Sequence, residues 1–96
     1  TITMKHLNEI SEQKIQTKII NQLTKEGWLC IKLIKTSKNG IPDILCLRQG
    51  ISMFIEVKKT NGKLSELQKL RIKQLEDLGF ECKIWTDYDT DFSTGI

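Results

Sequence analysis

The chain has one proline, one histidine, three cysteines and no apolar run of eighteen residues, and each shortage excludes something. With no long apolar run, and no basic start leading into an apolar stretch, neither a membrane span nor a secretory leader is expected, which predicts a soluble cytoplasmic protein. Cys30, Cys46 and Cys82 are odd in number, widely spaced and set among apolar residues. They read as small thiols in a reducing compartment rather than as a disulfide framework. His6 alone leaves too few ligands at the right spacing for a structural zinc site. Ninety-six residues are too few for two independent cores, so residues 1–96 are expected to form one domain. A chain of this length buries only about 60 to 65% of its unfolded surface, which makes a homodimer a natural way to cover what one core leaves open.

Fifteen Lys and Arg stand against twelve Asp and Glu, a net charge of +3. Asp87, Asp89 and Asp91 lie in a short acidic tail, residues 87–96, so the 86 residues before it hold nine acids and a net charge of +6. That surplus suits a polyanionic partner, and a solvated basic face explains it as well.

Apolar residues at Ile10, Ile15, Ile19, Ile20 and Leu23 recur at helical spacing and predict a first helix over residues 9–25. Asn8 or Ser11 can cap its start and Gly27 can end it. Residues 28–34 are an apolar run that predicts a strand, followed by the polar loop Lys35-Thr36-Ser37-Lys38-Asn39-Gly40. Pro42 cannot donate to a ladder and belongs at the entry to a second strand, 43–47. Gln49-Gly50 supplies a turn into a third strand, 51–58. Ser65 and Gln68 then form a capping box for a second helix with apolar positions Leu67, Leu70, Leu75 and Leu78, closed by Gly79. Residues 80–86 alternate as a half-solvated fourth strand. The order α-β-β-β-α-β, with a helix before the last strand to permit a parallel crossover, predicts an α/β domain: a small mixed β-sheet flanked by helices.

Register arithmetic links two acids. A two-residue turn at Gln49-Gly50 makes paired positions sum to 99, which sets Asp43 opposite Glu56 with both side chains on one face. Lys58 shares that face, whereas a three-residue loop would shift the register by one and separate the pair. Glu56 interrupts an apolar strand, and a buried carboxylate is costly unless paired or coordinated. An ion pair with Lys58 is the simplest account, and Asp43 also suits a strand entry. Together, two facing carboxylates offer hard oxygen ligands to Mg²⁺, with Lys58 placed to offset charge on a substrate phosphate.

Gly40-Ile41-Pro42-Asp43, Phe54-Ile55-Glu56-Val57-Lys58 and Gly62-Lys63-Leu64-Ser65-Glu66-Leu67-Gln68 closely resemble the virus-type replication-repair nuclease domain, VRR-NUC, of the PD-(D/E)xK nuclease superfamily. The resemblance covers about residues 9–86. It implies a restriction-endonuclease-like core and a Mg²⁺- or Mn²⁺-dependent endodeoxyribonuclease that leaves a 5′-phosphate and a 3′-hydroxyl. Asp43 and Glu56 would be metal ligands, Lys58 the catalytic lysine and Gln68 a residue near the active site. Glu12 matches an acid that the family carries on its first helix, with Glu9 a poorer substitute, and the backbone carbonyl of Val57 is a further expected ligand. A solvent-exposed Glu12 and a purely capping Gln68 are the simpler alternatives. Compact members resembling this chain are phage or bacterial homodimers that act on branched DNA such as four-way junctions.

Lys35 and Lys38 precede the hairpin, and Lys59 and Lys63 follow it, so both loops are candidate phosphate contacts, joined by Ser65 at the free amides of the helix start. Lys69, Arg71 and Lys73 suit a solvated helix face equally well. No base-reading module is present, which points to recognition of backbone and shape. The competing functions are a basic nucleic-acid-binding module with little or no catalysis, and a small structural protein in which Glu56 and Lys58 merely pair.

Overall fold

The computed structural model describes residues 11–86. Ile10, Asn8, Glu9, His6 and the acidic tail lie outside them. Helix α1 spans Glu12–Lys25, and Ser11 caps it by accepting the Lys14 amide on its hydroxyl at 3.2 Å. Strands β1 (Leu29–Lys32), β2 (Ile44–Arg48) and β3 (Ile51–Val57) follow, then helix α2 (Glu66–Asp77) and strand β4 (Glu81–Trp85). They form one sheet in the order β1-β2-β3-β4, antiparallel at the first two junctions and parallel between β3 and β4. The element order and mixed sheet are those expected.

The hairpin sets everything that follows. Gln49 and Gly50 both have positive φ, 50° and 79°, the backbone of a type I′ turn whose twist matches the flanking strands. Its register pairs Ile44 with Ile55 and Arg48 with Ile51, so the next position in line sets Asp43 across from Glu56.

The two sheet faces are unequal. Ile44, Cys46, Met53, Ile55 and Val57 point toward α1 and join Ile15, Ile19, Leu23, Trp28 and Trp85 in the core. Each such aliphatic side chain contributes about 1.5–3 kcal/mol by leaving water. Burial also pushes the Cys46 thiol up to about 12, helped by Cys30 beside it, which makes it an inert filler, and all three cysteines are free. Arg48 stacks over Trp28 at 4.4 Å and donates to the Glu26 carbonyl at 2.9 Å, closing the end of α1.

The face toward α2 is thinner, and here expectation and structure diverge. Leu67, Leu70 and Leu78 are exposed, Leu75 is half-buried, and Ile72 is the residue of α2 that is buried. The reason is that α2 lies against β4 and rests on Ile72, leaving the β1–β2 half of this face open. Phe54 meets Phe80 edge to face at 6.1 Å over the covered half. β1 is also shorter than expected: Trp28 packs in the core ahead of the ladder, and Ile34 is 85% exposed beyond it.

Candidate functional site

Because α1 runs opposite to β1, and β3 runs parallel to β4, one end of the sheet collects the start of α1, the entry to β2, the exit of β3 and the start of α2. Glu12, Asp43, Glu56, Lys58 and Gln68 therefore share that end, with the Lys35–Lys38 loop on one side and the Lys59–Lys63 loop on the other.

Glu56 is 2% exposed and is the one buried charged residue among those described. Its Oε2 accepts from Gln68 Nε2 at 3.3 Å and lies 3.9 Å from Lys58 Nζ. Its Oε1 has no hydrogen-bond partner. Burial first, then the Asp43 carboxylate, push the Glu56 carboxyl up to about 8, while Lys58 pulls it down and Glu12 adds a smaller upward push. Lys58 does pair with Glu56, but its pull is outweighed by burial and by the Asp43 carboxylate. Asp43 is fixed from behind: its Oδ2 accepts the Val57 amide at 2.8 Å, and its own carbonyl accepts the Leu33 amide at 2.8 Å. The Val57 side chain faces the opposite core, as its strand position requires.

Gln68 caps α2 and also reaches Glu56. Its side-chain Oε1 accepts the Ser65 backbone amide at 2.9 Å and its own backbone amide donates to Ser65 Oγ at 3.1 Å, a complete capping box. Its remaining Nε2 holds Glu56. The loop before Pro42 is drawn to α2 by Arg71, whose Nε donates to the Asn39 carbonyl at 2.8 Å. Gly40 has φ +82°, and a Cβ there would sit 2.8 Å from Leu67 Cγ, so the approach of α2 to this loop requires glycine.

Glu12 is half-buried at the start of α1, near enough to act on Glu56 electrostatically. Among the described residues, no three His, Cys, Asp or Glu side chains are grouped tightly enough to hold a metal ion. The facing pair is Asp43 and Glu56, with Glu12 farther off. An orphaned buried carboxylate oxygen, a like charge across from it and an all-oxygen donor set nonetheless fit a hard divalent cation. Lys35, Lys38, Lys59, Lys63 and Ser65 are all exposed, and none of the four lysines has a carboxylate partner among the described residues. Gln13, Gln16 and Lys32, which belong to no motif in the sequence, flank Asp43 at the β1 edge. The Gln13-x-x-Gln16 spacing on one helix face was the available signal.

A mixed sheet between two helices, with an acid pair and a lysine at the strand ends, defines the restriction-endonuclease-like class of nuclease folds. The VRR-NUC domain model matches residues 3–86, and the chain belongs to that family. Among solved structures, a VRR-NUC domain 25% identical to this chain superposes with a TM-score of 0.73 over 83% of this chain and 89% of its own. No curated protein matches. Among the described residues no helix is long and apolar enough to cross a membrane.

Proposed function

We propose that this chain is a metal-dependent endodeoxyribonuclease, its nuclease unit spanning about residues 9–86 with a short acidic tail, acting in the cytoplasm on branched DNA such as four-way junctions. The observation that carries the reading is the buried Glu56 carboxylate, which keeps an oxygen without a partner opposite Asp43. An unmatched buried acceptor costs about 1–3 kcal/mol, more when charged, and a cofactor cation would offset that cost.

Asp43 and Glu56 are the proposed ligands of Mg²⁺ or Mn²⁺, with Glu12 and the Val57 carbonyl completing the set. When bound, such an ion lowers the pKa of a water and screens phosphoryl oxygens. The chain's own groups do the rest. The Val57 amide holds Asp43 in place, and Gln68 holds Glu56. Lys58, half-buried on the same face, presents its ammonium group to the negative charge that grows on the phosphate during attack by water. Lys35, Lys38, Lys59 and Lys63 steer the backbone from both sides, and Ser65 sets the α2 start against it, where the cap takes the Ser65 and Gln68 amides but not those of Glu66 and Leu67.

A homodimer places two such sites in symmetric relation, as paired cuts across a junction require. Its support is the open half of the sheet, where Leu29 and Ile31 are exposed beside Leu45 and Leu47, with Leu67 and Leu78 on the flank of α2. The deciding experiment is a cleavage panel of duplex, flap, single-stranded and four-way-junction DNA with Mg²⁺, Mn²⁺ or EDTA. Ion-dependent cutting with junction preference is expected. DNA binding with no cutting under any ion would turn the reading to a binding module.

A further inference from the structure

Beside Asp43, on the α1 side of the sheet edge, a polar cleft of about 260 Å³ is lined by Gln13, Gln16, Lys32, Leu33, Ile34 and Asp43. The side chains of Gln13, Gln16 and Lys32 form no hydrogen bond or ion pair with other described residues, and Ile34 is 85% exposed at the rim. Lys32 reaches this side because its Cα partner is Ile44, which points toward α1. Gln13 and Gln16 stand three residues apart on α1 and so share one face. The cleft lies just below the usual range of small-molecule pockets, about 300–1,000 Å³, a size that suits one nucleotide unit rather than an extended ligand.

We propose that this cleft seats the nucleotide next to the cut phosphate, with Lys32 on a backbone phosphate and the carboxamides of Gln13 and Gln16 on the sugar or base edge. The inference rests on the nuclease reading above and adds the path of the strand: from the capping box of α2, across Asp43, Glu56 and Lys58, to the β1 edge. The chemistry of the lining favours a nucleotide. The site already holds the carboxylates of Glu12, Asp43 and Glu56, so any further acid on α1 would repel a polyanion. Glutamine avoids that charge while both donating and accepting, and a lysine beside it supplies the phosphate contact. Ile34 offers an apolar edge on which a sugar or base can rest.

The test uses the full chain and a fluorescent DNA of the best-cut structure, with affinity read by anisotropy in Ca²⁺, Mg²⁺ affinity by calorimetry, and steady-state cleavage. Gln13→Ala with Gln16→Ala is expected to weaken DNA binding about tenfold, mainly as a raised KM, with Mg²⁺ affinity unchanged. Lys32→Gln is expected to lower the salt dependence of binding by about one phosphate contact, and Lys32→Arg to restore it. Gln16→Glu is expected to weaken binding more than Gln16→Ala, a difference that a merely structural glutamine would not produce. Wild-type DNA affinity and KM in the glutamine variants, with cutting intact, overturn the cleft assignment alone. Failure of the wild type to bind or cut any DNA overturns the nuclease reading and the cleft with it.

Discussion

Replacing Glu56 by glutamine is expected to make the metal-free protein more stable at neutral and alkaline pH, although it removes a residue at the centre of the site. Folding raises the Glu56 pKa from 4.5 to about 8, so between those values the folded chain holds a proton that the unfolded chain releases. The stabilising contribution of that proton is complete below the lower value and is lost as pH climbs to the upper one. Each unit in that window costs about 1.4 kcal/mol, so going from about pH 5 to about pH 8 costs on the order of 3 kcal/mol. For a domain of this size that is a fall in Tm of roughly 12–24 °C. The substituted carboxamide can still accept from Gln68, is neutral throughout, and is expected to leave stability nearly level over the same range. Urea denaturation followed by circular dichroism at several pH values in EDTA measures both slopes. Saturating Mg²⁺ near the upper pH is expected to recover most of the wild-type loss and to leave Glu56→Gln unmoved. A variant whose stability falls with pH as steeply as the wild type would refute the reasoning, because the buried carboxyl would then not be the titrating group.

Gln68→Ala is expected to cost about 1 kcal/mol through the helix cap and to slow cutting, whereas Gln68→Glu keeps a capping side chain but sets another carboxylate against Glu56, so its cutting stays low; wild-type rates in Gln68→Glu would count against the Gln68–Glu56 contact. Gly40→Ala is expected to destabilise by about 2–4 kcal/mol, from its positive φ and the contact with Leu67, and unchanged denaturation would refute that packing. One glycine inserted between Gln49 and Gly50 slips the hairpin register, so cleavage is expected to vanish even where circular dichroism shows a folded chain, and retained cleavage would dismiss the facing-acid site. Neutralising Lys35 and Lys38 together is expected to weaken DNA binding at low salt and to reduce its salt slope by about two contacts, and an unchanged slope would remove both from the interface.

Local chemistry made much of the fold legible. The turn at Gln49-Gly50, the Ser65–Gln68 cap and the alternation of β3 are set by residues within a few positions of one another, and register arithmetic carried them to the facing of Asp43 and Glu56. The packing of α2 was not legible, because Leu67, Leu70 and Leu78 satisfy helical spacing as well as Ile72 does. Only the placement of the helix over β4 decides which of them is covered. The hydrogen bond from the Val57 amide to Asp43, and the reach of Arg71 to Asn39, join residues far apart in sequence through backbone groups that carry no sequence signature. The Gln13–Gln16–Lys32 cleft was missed for a related reason: uncharged polar residues on a helix read as solvent face until a strand edge comes up beside them.

The single carboxamide of Gln68 spans a helix start and a strand acid, and this sets an order on assembly during synthesis. A nascent chain that has emerged only through β3 carries Asp43, Glu56 and Lys58 but lacks the group that orients Glu56. If the chain cuts DNA as proposed, the centre is expected to become competent only when the crossover helix docks, and an interrupted polypeptide released inside a cell would be a poor threat to the genome around it.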